Sequence, residues 1–358
     1  MNATRLSAFA LIVALAGCGL SPGLMGGKAS DQVTAKARTG KWWAVELHTH
    51  SSVKEGKNTI SEIIRMAKEQ GADALALSEH DTLAQFAEAS FKQEQDLTLL
   101  HSTEWTSKQG HIGMHGPALL GWTATIPNTV TPAEAIARGY EGGATLIVHH
   151  PFAPGASHWT GGYDPRLNAL EVWSGHYFVP DVDEEAQAQA FLTEDNQRSI
   201  GLAAEQGISW WDGLLKRGIR IPITAASDYH RWPQKVTEPC TLVYAPDKSE
   251  NSLLKAIREG HTMGVRSPKS ARLFLEADVA GDQSFTGVPG DSVKLTKPMA
   301  LRVRADNADG DSVKLYTKAG LFATLKVKGK SWTQVIQVPQ DAAYLWGRMD
   351  GSLAQFKL

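Results

Sequence analysis

The sequence predicts an α/β fold, a parallel barrel followed by a small antiparallel β domain. Three observations carry that reading. Between about residues 41 and 269, apolar runs of strand length alternate with amphipathic helical patterns, as in βαβ units. Histidines and carboxylates gather where those runs end, and a parallel barrel collects its functional side chains at the C-terminal ends of its strands. After about Ser270 the pattern changes to strict alternation, as in a sheet with one solvated face.

At 358 residues the chain has room for one large domain and a smaller one. Its net charge of −2 leaves no basic footprint for nucleic acid. Arg5 precedes the apolar stretch from Leu6 to Ala16, which is too short to span a bilayer. The stretch ends in Leu15-Ala16-Gly17-Cys18, which resembles a bacterial lipoprotein signal. That resemblance implies a signal peptide over 1–18, cleavage before Cys18 and acylation of Cys18. It also implies a lipid-anchored place in the bacterial cell envelope. The periplasmic face of the outer membrane is the expected site, because Gly19 is not the aspartate that favours inner-membrane retention. A plain secretory signal with an incidental cysteine is the other reading. Residues 19–40, rich in Gly, Ser, Ala and Lys, are expected as a flexible tether. If Cys18 carries lipid, Cys240 is left without a disulfide partner and is expected as a small core residue at the start of a strand.

Strands are expected at 43–48, 74–78, 97–101, 145–149, 169–173 and 221–225. Helices are expected at 61–70 with Gly71 as stop signal, at 132–140 ahead of Gly142-Gly143, at 196–204, at 211–217, and at 252–259 closed by Gly260. They make one barrel over 41–269. In the second domain, 270–358, the stretches 293–295, 301–304, 313–316 and 335–338 alternate in period two, and Asp309-Gly310 and Lys328-Gly329 mark turns.

His48 and His50 stand two apart at the end of the first strand, which puts both on one face. Asp228 and His230 repeat the spacing on a late strand. A single His-x-His pair is more often core or surface. Two such pairs, with His80, His111 and His150 also at strand ends or in the loops after them, point to a metal site of mixed imidazole and carboxylate ligands.

Leu47-His48-Thr49-His50-Ser51, Ser78-Glu79-His80-Asp81-Thr82 and Ser227-Asp228-Tyr229-His230 resemble the first, second and last motifs of the polymerase and histidinol phosphatase (PHP) superfamily of metal-dependent phosphoesterases. The resemblance covers about residues 42–267. It implies a distorted (βα)7 TIM-like barrel with a trinuclear metal site. Leu170-Glu171-Val172-Trp173-Ser174-Gly175, Trp211-Asp212-Gly213-Leu214-Leu215, and Thr241-Leu242-Val243 followed by residues 256–262 are similar to the carbaryl-hydrolase-like metallohydrolases of this superfamily. Carried over by motif, the first metal takes His48, His50, Glu104 and Asp228. The second takes Glu55, His80 and His230, and the third His111 and His150 with Glu104 bridging. Two or three divalent ions (Mn, Zn or Fe) are thus implied as cofactors. Glu55 stands where the family has an aspartate, and its extra methylene is expected to shift or loosen that ion. Glu79 replaces another aspartate; it is expected either to hold the tautomer of a ligand histidine or to be a solvated loop carboxylate.

His149 is expected in the core, on the face opposite His150. His115 is a rival ligand for the third site, and His101 is expected to be structural. His176 faces either the pocket or the surface. Arg231, directly after His230, either grips a phosphate or lies in a surface loop. Trp159, Trp173 and Trp232 either wall the mouth or pack. The expected function is a metal-dependent hydrolase, first of all a phosphoesterase acting on a small-molecule phosphate ester. A metal-bound water, supported by Glu79, would be the attacking group. Attack on a carbonyl makes a carbamate, ester or amide hydrolase the alternative, and a non-catalytic metal-containing binding lipoprotein is the third reading. No Ser-His-Asp arrangement, Gly-x-Ser-x-Gly or Gly-rich phosphate loop is evident.

Overall fold

The computed structural model describes residues 9–15, 39–153, 157–175, 193–293, 295 and 298–350. Cys18 and His176 lie outside the described residues. After β1 (Phe9–Leu15), nine strands build one sheet: β2 (Lys41–Glu46), β3 (Ala74–Leu77), β4 (Thr98–Ser107), β5 (Gly110–His115), β6 (Thr145–His149), β7 (Ala169–Ser174), β8 (Ile223–Ala226), β9 (Cys240–Ala245) and β10 (Thr262–Val265). Their order is β10-β9-β2-β3-β4-β5-β6-β7-β8. The sheet curls until its ends nearly meet. Thr241 Oγ1 accepts from the Ala225 N–H at 2.9 Å and donates to the Ala225 carbonyl at 2.7 Å, spanning the seam between β8 and β9.

Helices follow from local chemistry. In α1 (Ile60–Gln70), Thr59 and Glu62 form a reciprocal capping box and Gly71 ends the helix in a left-handed conformation. Next come α2 (Ala89–Gln93) and α3 (Pro132–Glu141), the latter capped by Thr131 with Pro132 in its first turn. Then α4 (Glu194–Lys216) is one continuous helix where two were expected. Gly207 was part of the expected gap. It lets the helix lie close on β7, since a Cβ there would sit 2.8 Å from the Val172 carbonyl oxygen. Ser249 and Gly260 bound α5 (Glu250–Glu259).

The barrel is not uniformly parallel, as the helix–strand alternation had implied. β4 with β5, β5 with β6, β2 with β9 and β9 with β10 pair antiparallel. For β4 and β5 the reason is connection length: Lys108-Gln109 joins them, and so short a link can only return antiparallel.

After the barrel come β11 (Arg272–Ala277), β12 (Ser292–Val293), β13 (Met299–Asp306), β14 (Ser312–Thr317), β15 (Gly320–Lys326), β16 (Ser331–Val338) and β17 (Tyr344–Asp350). They form the sheets β11-β13-β16 and β12-β1-β17-β14-β15. β13 alternates buried and half-buried along its length, as the period-two pattern implied. One apolar cluster joins these strands to the barrel: Leu242, Met263 and Val265 pack with Leu273, Leu275, Leu301 and Val303. Cys240 is buried in it, as its strand position suggested. β1, the stretch read as the core of a leader, pairs antiparallel with β17 and parallel with β12. Its apolar residues fit a strand as well as a leader. Among the described residues no helix is long and apolar enough to cross a membrane.

Candidate metal centre

The site lies where β2, β3, β6 and β8 end, beside the later part of β4 and the start of β5, and it is organised around one buried carboxylate. Glu104 is fully buried on β4. Its Oε1 lies 3.3 Å from His48 Nε2, 3.1 Å from His111 Nδ1, 2.9 Å from His149 Nδ1 and 3.4 Å from His150 Nε2. Its Oε2 lies 3.0 Å from His80 Nδ1 and 3.5 Å from His50 Nε2. An isolated buried carboxylate costs several kcal/mol or more. Here the surrounding imidazoles outweigh burial, and the charges of His48 and His80 first among them hold Glu104 well below the usual carboxylate range.

The donor atoms form overlapping groups, among them His48, His50 and Glu104; His48, His150 and Asp228; His50, Glu55, His80 and His230; and His80, Glu104 and His111. Asp228 Oδ1 is 3.2 Å from both His48 Nε2 and His50 Nε2, and those two nitrogens are 3.1 Å apart. Glu55 Oε1 is 2.6 Å from His80 Nε2 and 2.8 Å from His230 Nε2, so the longer side chain does reach both rings. His111 and His150 each approach Glu104 Oε1, but their ligand atoms group apart, His111 with His80 and Glu104, and His150 with His48 and Asp228, its Nε2 3.9 Å from Asp228 Oδ2. All nine residues expected as ligands are thus brought together. Asp228 and His150 take positive φ, 48° and 25°, a conformation that is costly for residues other than glycine and clusters at functional sites.

The donor set fits divalent ions. Around an ion with bonds of about 2.1 Å, neighbouring ligands stand roughly 3.0–3.4 Å apart, which matches the spacing of His48, His50 and Asp228. Imidazole and carboxylate together suit Mn²⁺, Zn²⁺ or Fe²⁺.

Charge is divided unevenly among the rings. Burial opposes protonation of His80, but Glu104 and Glu55 outweigh it and raise its pKa to about 10. Burial, with His230 and His80 alongside, pushes His50 down to about 3. His48 is raised well above its ordinary value against burial, by Asp228 and Glu104.

Several expectations are corrected. His149 is buried, yet it faces the site: its ring stacks on His48 at 3.7 Å between centroids and its Nδ1 meets Glu104. Strand alternation had put it opposite His150, but the left-handed backbone at His150 breaks the alternation and both neighbours turn inward. Glu79 is neither solvated nor bonded to a histidine. It is buried, and its Oε1 accepts from the Ser51 N–H at 2.8 Å and from the Ser51 hydroxyl; burial raises its pKa to about 6. His115 turns to Ser102, Nδ1 to Oγ at 2.9 Å. His101 contacts Glu250 at 2.8 Å, a structural link. Arg231 is half-buried beside His230, its N–H donating to Gln234 Oε1. Trp159 and Trp173 are core, whereas Trp232 is exposed.

Two carboxylates escaped the sequence reading. Glu46 is fully buried and its Oε1 accepts from the backbone N–H groups of His48 at 2.9 Å and Ser227 at 3.1 Å, tying the ends of β2 and β8 together. Glu171 Oε2 lies 3.1 Å from His48 Nδ1. Burial raises the pKa of both. Glu46 continues the i,i+2 series of His48 and His50, a signal present in the sequence. Glu171 is a charge inside an otherwise apolar strand, which is equally visible.

Fold and site together define a class, a curled α/β barrel with histidine and carboxylate clusters able to hold divalent metal at its strand ends. Residues 45–106 match the family model described as the PHP domain. An uncharacterized protein of Methanocaldococcus jannaschii is 28% identical over 116 residues, 32% of this chain and 61% of that protein, so the match spans less than two thirds of the relative. A two-domain Bacteroides vulgatus protein containing a predicted PHP-like metal-dependent phosphoesterase is similar at 15% identity and TM-score 0.44, covering 90% of this chain and 91% of that one. An amidohydrolase from Chromobacterium violaceum, with bound sulfate and no metal, is similar at 16% identity and TM-score 0.31, covering 53% and 88%.

Proposed function

We propose that this protein is a metal-dependent hydrolase, and specifically a phosphoesterase acting on a small-molecule phosphate ester. The observation that carries the reading is Glu104 meeting six imidazoles, four at Oε1 and two at Oε2. A purely structural site needs four ligands and is closed; this donor set is larger and has an open side at Glu55, 42% exposed. His48, His50, Glu104 and Asp228 would hold one ion and Glu55, His80 and His230 a second; a third, on His111, His150 and Glu104, would need those two rings to draw closer. Bound there, divalent ions supply Lewis acidity that makes water nucleophilic near neutral pH and neutralises charge developing on the substrate. The chain's own residues do the rest. The buried rings of His48, His50 and His149 exclude water from the inner side. Glu55 holds the outer faces of His80 and His230 in register. Arg231, next to His230, offers a planar cation to a phosphoryl oxygen.

The test is metal analysis beside a panel of phosphomonoester, phosphodiester and carbamate substrates. Metal-dependent turnover of a phosphate ester is the expected result. Turnover of the carbamate alone would move the reading to carbonyl chemistry, and bound metal with no turnover across the panel would make this a binding protein.

We also propose that the chain is processed before Cys18 and lipid-anchored in the cell envelope. The support is Leu15-Ala16-Gly17-Cys18 after a short apolar run. The mature mass and membrane fractionation of Cys18→Ser check this. Release of the variant from membranes is expected, and retention with β1 intact in the mature chain would contradict it.

A further inference from the structure

We propose that Glu171 is the positioning residue of the metal centre: it accepts a hydrogen bond from the Nδ1–H of His48, keeps the proton on that nitrogen and so leaves the Nε2 lone pair facing Asp228 and Glu104. The inference rests on the metal-centre reading above. The His48 ring has two distinct sides. On the Nε2 side stand Asp228 Oδ1 at 3.2 Å, Glu104 Oε1 at 3.3 Å and His50 Nε2 at 3.1 Å. On the Nδ1 side stands Glu171 Oε2 at 3.1 Å. Glu171 is 1% exposed, on a strand where Ala169, Leu170, Val172 and Trp173 are apolar and Ser174 supplies a hydrogen bond to it. A buried carboxylate there costs stability unless it is bonded. Its Oε1 faces the His150 N–H at 3.4 Å, so the same side chain touches the backbone of a second ligand.

An imidazole that binds an ion through one nitrogen must carry its proton on the other, and a carboxylate acceptor fixes which nitrogen that is. His230 is fixed in the equivalent way by a carbonyl, its Nδ1 lying 2.9 Å from the Asp228 oxygen and its Nε2 facing Glu55. For His48 no carbonyl does this, and Glu171 takes its place. The cluster of His48, His149 and Glu171 does not make a further ion site. The two rings stack at 3.7 Å with planes 25° from parallel. No point lies in both planes within a metal–nitrogen bond of about 2.1 Å.

The experiment is zinc titration against a chromogenic chelator, with ring-nitrogen NMR of the zinc-loaded protein. Wild type is expected to bind zinc, with His48 protonated at Nδ1 and coordinated through Nε2. Glu171→Met, of similar length and without an acceptor, should weaken zinc binding about 10–100-fold and broaden or split the His48 ring signals. Glu171→Gln keeps an acceptor oxygen and should restore the Nδ1–H form and most of the affinity, which a merely space-filling role would not predict. Wild-type affinity in Glu171→Met overturns the inference, as does coordination of His48 through Nδ1 in the wild type. If Glu171→Met does not fold by circular dichroism, Glu171→Gln and the wild-type ring assignment still decide. Wild-type protein that binds no zinc overturns the metal-centre reading itself, so the two failures are told apart by the first titration.

Discussion

Single residues set the protonation cost of loading this site. An ion needs a lone pair, and His80, held at about 10 by Glu104 and Glu55 against burial, carries a proton at neutral pH. That proton must leave for an ion to enter. Protons therefore compete with metal, and apparent affinity should rise with pH, by up to about tenfold per unit for each proton displaced. Manganese titrations from pH 6 to 8 check it, with calorimetry in buffers of different ionisation enthalpy reporting proton release. A flat affinity across that range removes His80 from the ligand set. At this scale the sequence was informative because several residues expected as ligands close apolar runs, as His48, His50, His80, His150, Asp228 and His230 do, and the structure brings them to one place. His149 was misread because alternation was extended through a residue whose backbone is left-handed. Glu171 was passed over because one charge in an apolar strand has no spacing pattern of its own.

Among the elements, β5 carries the most consequence. It was not anticipated, since Gly-His-Ile-Gly-Met-His is short, carries two glycines and has no β-branched residue beyond Ile112. Yet it brings His111 to Glu104 and, through Gly113, makes room for the inner rings. A Cβ at Gly113 would fall 2.1 Å from His149 Nε2 and 2.6 Å from His115 Nε2. Gly113→Ala should therefore displace His149 from Glu104, lower stability by about 1–3 kcal/mol through overpacking and weaken metal binding together with it. Denaturant melts and a metal titration on the one variant give both readouts. Unchanged stability and affinity would mean that the rings are not packed as described. The helices were easier to read, because Thr59, Thr131, Ser249, Gly71 and Gly260 are explicit start and stop residues.

For the whole molecule, the barrel and the strands after residue 270 share an apolar cluster and are expected to stand or fall together. Leu242, Met263 and Val265 are covered by Leu273, Leu275, Leu301 and Val303, and Asp212 on α4 accepts from Tyr344 Oη at 3.0 Å and Trp346 Nε1 at 2.9 Å. A chain cut after residue 269 uncovers that apolar face and should aggregate or melt without cooperativity, whereas the full chain melts in one transition; a well-folded, soluble fragment would show the shared core to be dispensable. The change to period-two alternation near residue 270 is visible in the sequence, but nothing in an alternating pattern says which outer face of the barrel those strands will cover. The central claim is that Glu104 gathers divalent ions at the barrel mouth. The most direct test is the metal stoichiometry of wild type and Glu104→Gln, measured by mass spectrometry after chelation and reloading with manganese, with phosphoester hydrolysis followed in parallel. Two or three ions per wild-type chain are expected, with fewer ions and lost hydrolysis in a variant that remains folded. Equal stoichiometry in the two proteins, or full hydrolysis by the metal-stripped wild type, would contradict it.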